Sequence, residues 1–154
     1  MKVMLALDSS KHSEYALDSV LARPWPKASE FMVFVVIEPF HPDFAGWDTM
    51  AVNQAVQYAK KLEEESTNYA KASAEKLREK MPEAKIEFEL KESAHIKETI
   101  IEKASEWQAD LIVMGSHGRT GLQRFLLGSV SQAVLAHAPC SVEIIKKPFY
   151  HSSN

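Results

Sequence analysis

The chain lacks several features that would place it in a special class of protein. It has a single cysteine, Cys140, among 154 residues, which excludes an internal disulfide framework and favours a reducing compartment. No apolar run is long enough to span a bilayer, and the run at the N-terminus reaches Asp8 too soon to form a signal-peptide core. We therefore expect a cytoplasmic protein that does not insert into a membrane.

The chain also has little net charge. Its 18 basic and 21 acidic residues leave a formal charge of -3, which gives no reason to expect binding to nucleic acid or to a membrane surface. Apolar residues make up 45% and charged residues 25%, as in ordinary globular domains. The length suits one domain. We expect that domain to cover residues 1–148, followed by a C-terminal tail at 149–154.

Short apolar runs alternate with helical patterns along the whole sequence. Strands are predicted at 2–7, 31–37, 85–91, 110–114 and 141–146, and the third of these alternates polar with apolar residues, as near a sheet edge. Helices are predicted after Ser10, over 49–81, over 96–107 and from Gly128 or Ser129 onward. This alternation predicts a three-layer α/β fold with a doubly wound, mostly parallel sheet of about five strands.

Glycine is scarce, and every glycine but Gly46 lies between residues 115 and 128. Gly115 follows a buried strand pattern, Gly118 comes three residues later in the loop, and Gly128-Ser129 begins the last predicted helix. A helix start presents backbone N–H groups and a partial positive charge, and glycines let the backbone approach a phosphate closely. The segment therefore predicts an anion-binding loop between a strand and a helix.

Other phosphate-binding motifs do not fit this segment. A P-loop needs a Gly-Lys pair, which the chain does not contain, and the Gly-x-Gly-x-x-Gly pattern of dinucleotide sites is also missing. The His-x-Gly-His step of nucleotidyl transferases is absent, because Arg119 follows His117-Gly118. A tight turn without any ligand stays open as an alternative.

The remaining pattern, Gly-x2-Gly-x9-Gly-Ser, resembles the nucleotide loop of the universal stress protein family, in its ATP-binding branch. The likeness extends from Leu5-Ala6-Leu7-Asp8-x-Ser10 to Ala138-Pro139-Cys140-Ser141-Val142 and so covers nearly the whole chain. It implies an adenine nucleotide alpha hydrolase-like sheet of strand order 3-2-1-4-5. In that order the first and fourth strands are neighbours, which brings Asp8 near Gly115.

The resemblance also implies a role for each matching residue in holding ATP, with or without Mg²⁺ or Mn²⁺. Ala6 and Leu7 would line the base, Val36 would pair with adenine through its backbone, and Asp8 would lie near the ribose and the metal-bound phosphates. The remaining nucleotide-binding positions are Met114, Gly115, His117, Gly118, Arg119, Gly128, Ser129, Val130 and Ser131.

Several of these residues also have a simpler interpretation. Asp8 would serve equally as the N-cap of the first helix, and His117 would shape the loop rather than act as a general base. Cys140 is expected to be a buried, inert thiol. The aromatic residues of the loop after the second strand would either close over a ligand or cap the core: Phe40, His41, Phe44 and Trp47.

Three functions follow from these observations. The leading hypothesis is an ATP-binding regulatory module in a stress response that acts on an unidentified protein partner. The others are a slow ATPase or phosphotransferase, for which we identify no catalytic residue, and a nucleotide-free dimeric scaffold. The family commonly dimerises through its last strand, which implies a homodimer built on 141–146. There Glu143 would face its symmetry mate and require Lys146, Lys147 or water to offset the repulsion.

Overall fold

The structure is a computed structural model and describes residues 1–40, 46, 48–118 and 127–146. Strands and helices alternate along these residues, as the sequence predicts. In chain order the elements are β1 (Lys2–Leu7), α1 (Lys11–Leu21), β2 (Glu30–Ile37), α2 (Thr49–Lys80), β3 (Lys85–Glu92), α3 (Ile96–Glu106), β4 (Leu111–Gly115), α4 (Ser129–His137) and β5 (Ser141–Ile145).

The five strands form one parallel sheet in the order β3-β2-β1-β4-β5. This confirms the predicted architecture and strand order. The central strand β1 pairs with β2 on one side and with β4 on the other, so that Ala6 lies beside both Phe34 and Met114. Parallel neighbours need crossover connections, and the helices between the strands supply them.

The two faces of the sheet carry separate hydrophobic clusters. Alternate residues of β1 point to opposite faces: Val3, Leu5 and Leu7 pack with α1 and α2, while Met4 and Ala6 pack with α3 and α4. A strand buried on both sides must be apolar throughout, which explains the continuous run at the N-terminus. The result is the expected three-layer, doubly wound arrangement.

Several elements differ from prediction by one residue at an end. The β4 strand runs to Gly115, β5 stops at Ile145, and Met81 and Trp107 are C-caps rather than helical residues. The largest difference in burial is at Cys140, which is partly exposed rather than buried. Its partial burial raises the pKa of the thiol, and the Asp110 carboxylate raises it further.

Among the described residues, no helix is both long and apolar enough to cross a membrane. The 32-residue helix α2 has the length, but charged side chains occur along it. The expected tail at 149–154 lies outside the described residues, and the cytoplasmic location stays a prediction.

Tyr69 of α2 provides a test of packing between the helices on one face of the sheet. Its hydroxyl is buried, and this burial raises its pKa from 10.0 to about 12, although the nearby Ser73 side chain acts in the opposite direction. Tyr69 therefore ionises at a lower pH in the unfolded chain than in the folded protein. The stability that its raised pKa contributes is complete below pH 10.0 and is lost as the pH rises toward about 12.

We expect Tyr69→Phe to unfold at higher pH than the parent in an alkaline titration followed by circular dichroism. Tyr58→Phe is the matched control, because the Tyr58 side chain is 55% exposed. Coincident alkaline midpoints for the parent and Tyr69→Phe would contradict this account.

Candidate functional site

A pocket opens at the carboxyl ends of β1 and β4, where the winding of the sheet reverses. It encloses about 690 Å³ when the solvent space at its open mouth is counted. Apart from Arg119, which lies outside the described residues, every predicted site residue lines this pocket: Ala6, Leu7, Asp8, Val36, Met114, Gly115, His117, Gly118, Gly128, Ser129, Val130 and Ser131.

The inner end of the pocket is apolar. Phe34, Val36 and Met114 reach it from neighbouring strands because they lie on the face that packs with α3 and α4. The α3 helix contributes Ile96 and Ile100, one turn apart. Sequence reasoning assigned neither Phe34 nor the two isoleucines to the site. Two signals in the sequence could have indicated them. Phe34 is two residues from Val36 and so lies on the same face of the strand, and the two isoleucines lie four residues apart on one face of a helix.

The outer end of the pocket is formed by the N-terminus of α4. The Gly128 N–H donates to the Ser116 carbonyl at 2.9 Å, and the Gln132 N–H makes the first helical bond, to the Gly128 carbonyl, at 2.9 Å. The N–H groups of residues 129–131 precede that bond, and Gly128 has no side chain to cap them. They have no acceptor among the described residues and line the pocket, so they are available to an anion.

The Ser131 hydroxyl has a different task from its backbone amide. It is buried and donates to the Gly115 carbonyl at 2.9 Å. This bond fastens the first turn of α4 to the end of β4. Because the hydroxyl is engaged within the protein, the backbone N–H is the donor that Ser131 offers to a ligand.

Asp8 directly follows β1 and belongs to a small hydrogen-bond network at the pocket. Its Oδ1 accepts from the Ser13 hydroxyl at 2.6 Å and from the Ser10 N–H at 3.1 Å. Ser9, which lies between Asp8 and Ser10, adopts a left-handed φ of 62°. This conformation turns the chain back toward the Asp8 carboxylate. The N-cap of α1 is Ser10, which accepts the Ser13 N–H at 3.2 Å, so the interpretation of Asp8 as the cap is wrong.

The glycines differ in what the protein itself requires of them. A Cβ at Gly115 would lie 2.7 Å from backbone and side-chain atoms of His12, and a Cβ at Gly118 would lie 2.8 Å from Oδ2 of Asp8. At Gly128 the nearest atoms of the described residues would be 3.5 Å away, an ordinary contact. Packing against His12 therefore leaves no room for a side chain at position 115, and the Asp8 carboxylate leaves none at position 118. Among the described residues, no such neighbour restricts position 128.

The His117 ring is not placed as a general base. Its Nδ1 lies 3.1 Å from the Ser116 hydroxyl, and its Nε2 is buried without a partner among the described residues. The ring packs against His12 with a centroid separation of 5.1 Å, and the His117 carbonyl accepts from the Ser10 hydroxyl at 3.5 Å. These contacts support the loop-shaping interpretation, because a base must reach the proton that it removes.

No group of three or more metal-ligating side chains gathers anywhere in the described part of the chain. A cation at Asp8 would therefore require phosphate oxygens and water as its other ligands. Mg²⁺ is often bound in this way, through one or two carboxylates together with substrate phosphates. Of the predicted loop aromatics, Phe40 is 41% exposed and contacts Tyr58, whereas His41, Phe44 and Trp47 lie outside the described residues.

The fold and the pocket together define a doubly wound α/β protein with a ligand site at the switch point of its sheet. The sequence profile described as "Universal stress protein family" matches residues 1–146, and the chain belongs to that family. It is 27% identical over 152 residues to universal stress protein Sll1388 of Synechocystis, an alignment that covers 94% of this chain and 97% of that protein.

Solved structures show the same fold. The hypothetical protein MJ0577 matches with a TM-score of 0.78 and 27% identity over 96% of both chains. The AMP-bound family member At3g01520 of Arabidopsis thaliana matches at 0.63 with 16% identity, over 99% of this chain and 96% of that one. A universal stress protein in complex with cAMP matches at 0.56 with 22% identity, over 94% and 96%.

The distinction among the glycines is testable by stability alone. We expect Gly115→Ala to lower the free energy of unfolding by about 1–3 kcal/mol, because the added methyl group overpacks against His12. Gly128→Ser is expected to leave stability equal or slightly higher, because serine caps helices well. Urea unfolding of both variants measures the difference, and equal losses would refute the assignment of Gly115 to packing.

Proposed function

We propose that the protein is an ATP-binding regulatory module, in which the bound nucleotide alters the surface presented to a partner protein. One observation carries the proposal. The first residues of α4, 129–131, whose N–H groups have no acceptor among the described residues, line the same pocket as Asp8 and the apolar side chains Phe34 and Met114. The pocket thus has an apolar end, a polar middle and an anion-binding end. These match, in the same order, the base, the sugar and the phosphates of a nucleotide.

The residues present fit such a ligand. Adenine would lie between the strand residues Phe34, Val36 and Met114 and the isoleucines of α3. Asp8 would accept from ribose hydroxyls or hold a phosphate-bound cation, while the amides of 129–131 would donate to phosphate oxygens. The AMP and cAMP complexes of the structural relatives support an adenine nucleotide as the ligand class.

Gly128→Asp tests the anion site directly. The aspartate would cap the first turn of α4 and place a negative charge where the phosphates are expected. We expect ATP binding in isothermal titration calorimetry to weaken by at least about 100-fold, from the loss of two or more hydrogen bonds to a charged group. The melting temperature should stay equal or rise.

Gln132→Glu is the matched control, since it adds the same charge to an exposed position one turn along α4. It should bind ATP as the parent does. If Gly128→Asp folds normally and retains the parent's affinity, the phosphates do not bind at α4.

An enzymatic function has weaker support than binding. Neither nitrogen of His117 is available to a water, and the described residues hold no pair of metal sites of the kind that cleaves phosphates. We expect phosphate release below about one turnover per second, the lower end of ordinary enzyme rates. A coupled phosphate assay measures it, with Gly128→Asp as the control for contaminating activity. Faster release by the parent alone would establish an enzyme.

A nucleotide-free scaffold is the remaining alternative. Two features of the described residues argue against it: none of them accepts from the amides of 129–131, and none of them restricts a side chain at Gly128. A capping side chain at 128 would stabilise a helix start that binds no ligand. Mass spectrometry of protein purified without added ATP distinguishes the scaffold from the nucleotide-binding module. Released nucleotide would support the binding module, and its absence would support the scaffold.

The β5 strand supports a homodimer. It forms an edge of the sheet, and the Ser116 N–H donates to the Ile145 carbonyl at 2.9 Å. Because backbone groups alternate along a strand, those of Ile144 and Val142 point outward, toward a second copy. Glu143 pairs within its own chain with Arg23 at 2.9 Å, so its charge near a two-fold axis is offset without the lysines that the sequence suggested.

We expect the parent to be a dimer at micromolar concentration and Ile144→Pro to weaken that dimer by at least about tenfold. Proline removes an outward N–H and leaves the pairing of β5 with β4 intact. Ile144→Val keeps the N–H and is the control. Light scattering with size exclusion measures the mass, and a monomeric parent would refute the dimer.

A further inference from the structure

A second depression adjoins the nucleotide pocket, and we call it the distal groove. The two form one continuous channel, because both are lined by Asp8, Val36, Ile96, Gly118, Ser129 and Val130. It is larger, with about 1,790 Å³ of space against about 690 Å³, open mouths included. A mononucleotide that fills the pocket would leave the groove without an occupant of its own.

The floor of the distal groove is apolar and partly aromatic. The α2 helix contributes Val56, Ala59 and Leu62, which lie at helical spacing on one face. Phe40 borders them with 41% of its surface exposed and is held edge-on against Tyr58 at a centroid separation of 5.8 Å. An exposed aromatic ring can stack on the planar or hydrophobic face of a base or sugar.

The rim of the distal groove is acidic. Glu38, Glu63 and Glu92 line it, and none of them forms an ion pair with another described residue. Among the described residues that line the groove, Lys60 carries a positive charge. Carboxylates only accept hydrogen bonds, and their combined charge repels further phosphate. The rim therefore favours a neutral group with several O–H or N–H donors.

We propose that the channel accommodates an adenine nucleotide whose terminal phosphate carries a second group with hydroxyl or amino donors, either a sugar or a second nucleoside. This rests on the proposed nucleotide site and extends it. The adenosine half occupies the pocket, the phosphates bind at α4 and Gly118, and the second group stacks near Phe40 while the glutamates accept its hydrogen bonds. ATP would fill the pocket and the part that it shares with the groove, and would leave the surroundings of Phe40 and Glu63 open.

Calorimetric titration with three ligands tests the proposal: ADP-ribose, diadenosine diphosphate and the β-methyl ester of ADP. All three present a diester diphosphate of the same charge, so a difference in affinity reports the second group. We expect the parent to bind ADP-ribose or diadenosine diphosphate at least about tenfold more tightly than the methyl ester. The tighter of the two identifies the second group as a sugar or a nucleoside.

Two variants locate that preference in the groove. Glu63→Ala removes an acceptor and Ala59→Trp fills the floor, and each should reduce the preference at least about threefold while leaving the methyl ester's affinity unchanged. Glu64→Ala, at the adjacent position of α2 outside the groove, should retain it. Equal affinity of the parent for all three ligands overturns the distal-groove proposal alone. Failure of the parent to bind any of them overturns the nucleotide site as well.

Discussion

The parallel pairing of β1 with β4 is the constraint on which the site depends. It sets Ala6 beside Met114, and the loops that follow the two strands then emerge side by side at one edge of the sheet. The helix after β1 packs on one face and the helix after β4 on the other, so the loops diverge and leave a crevice between them. The apolar interior holds this pairing in place, because both neighbouring strands are buried on their two faces.

Short polar bonds complete the crevice where the strands end. The Ser116 carbonyl accepts the Gly128 N–H, the Gly115 carbonyl accepts the Ser131 hydroxyl, and the Ser10 hydroxyl reaches the His117 carbonyl. The first two bonds anchor the start of α4 to the end of β4, and the third joins the loop after β4 to the N-cap of α1. None of them uses the backbone amides of residues 129–131. The arrangement keeps donors oriented in advance, which lowers the entropic penalty of binding an anion.

The sequence predicted the elements well because their signals are local. Continuous apolar runs mark β1 and β2, helical spacing marks α2, and the glycine pattern marks the start of α4. The strand order came from the resemblance, since no local signal states which strands are neighbours. For the same reason the pairing of Arg23 with Glu143 was not foreseen, because it depends on how α1 crosses β4 and β5. The sequence did not assign Phe34, Ile96 and Ile100 to the site. The hydrophobic pattern of a buried strand or an amphipathic helix is the same whether or not a ligand lies beside it.

The central claim is that phosphate binds to the first amides of α4. Amide NMR spectra of the ¹⁵N-labelled protein with ATP and with adenosine test it most directly, because the two ligands share a base and a sugar. The account predicts that the shifts caused by ATP but not by adenosine concentrate at Gly118 and Ser129–Ser131, while residues around Phe34 and Val36 respond to both. Phosphate-dependent shifts that leave Ser129–Ser131 unchanged would contradict it.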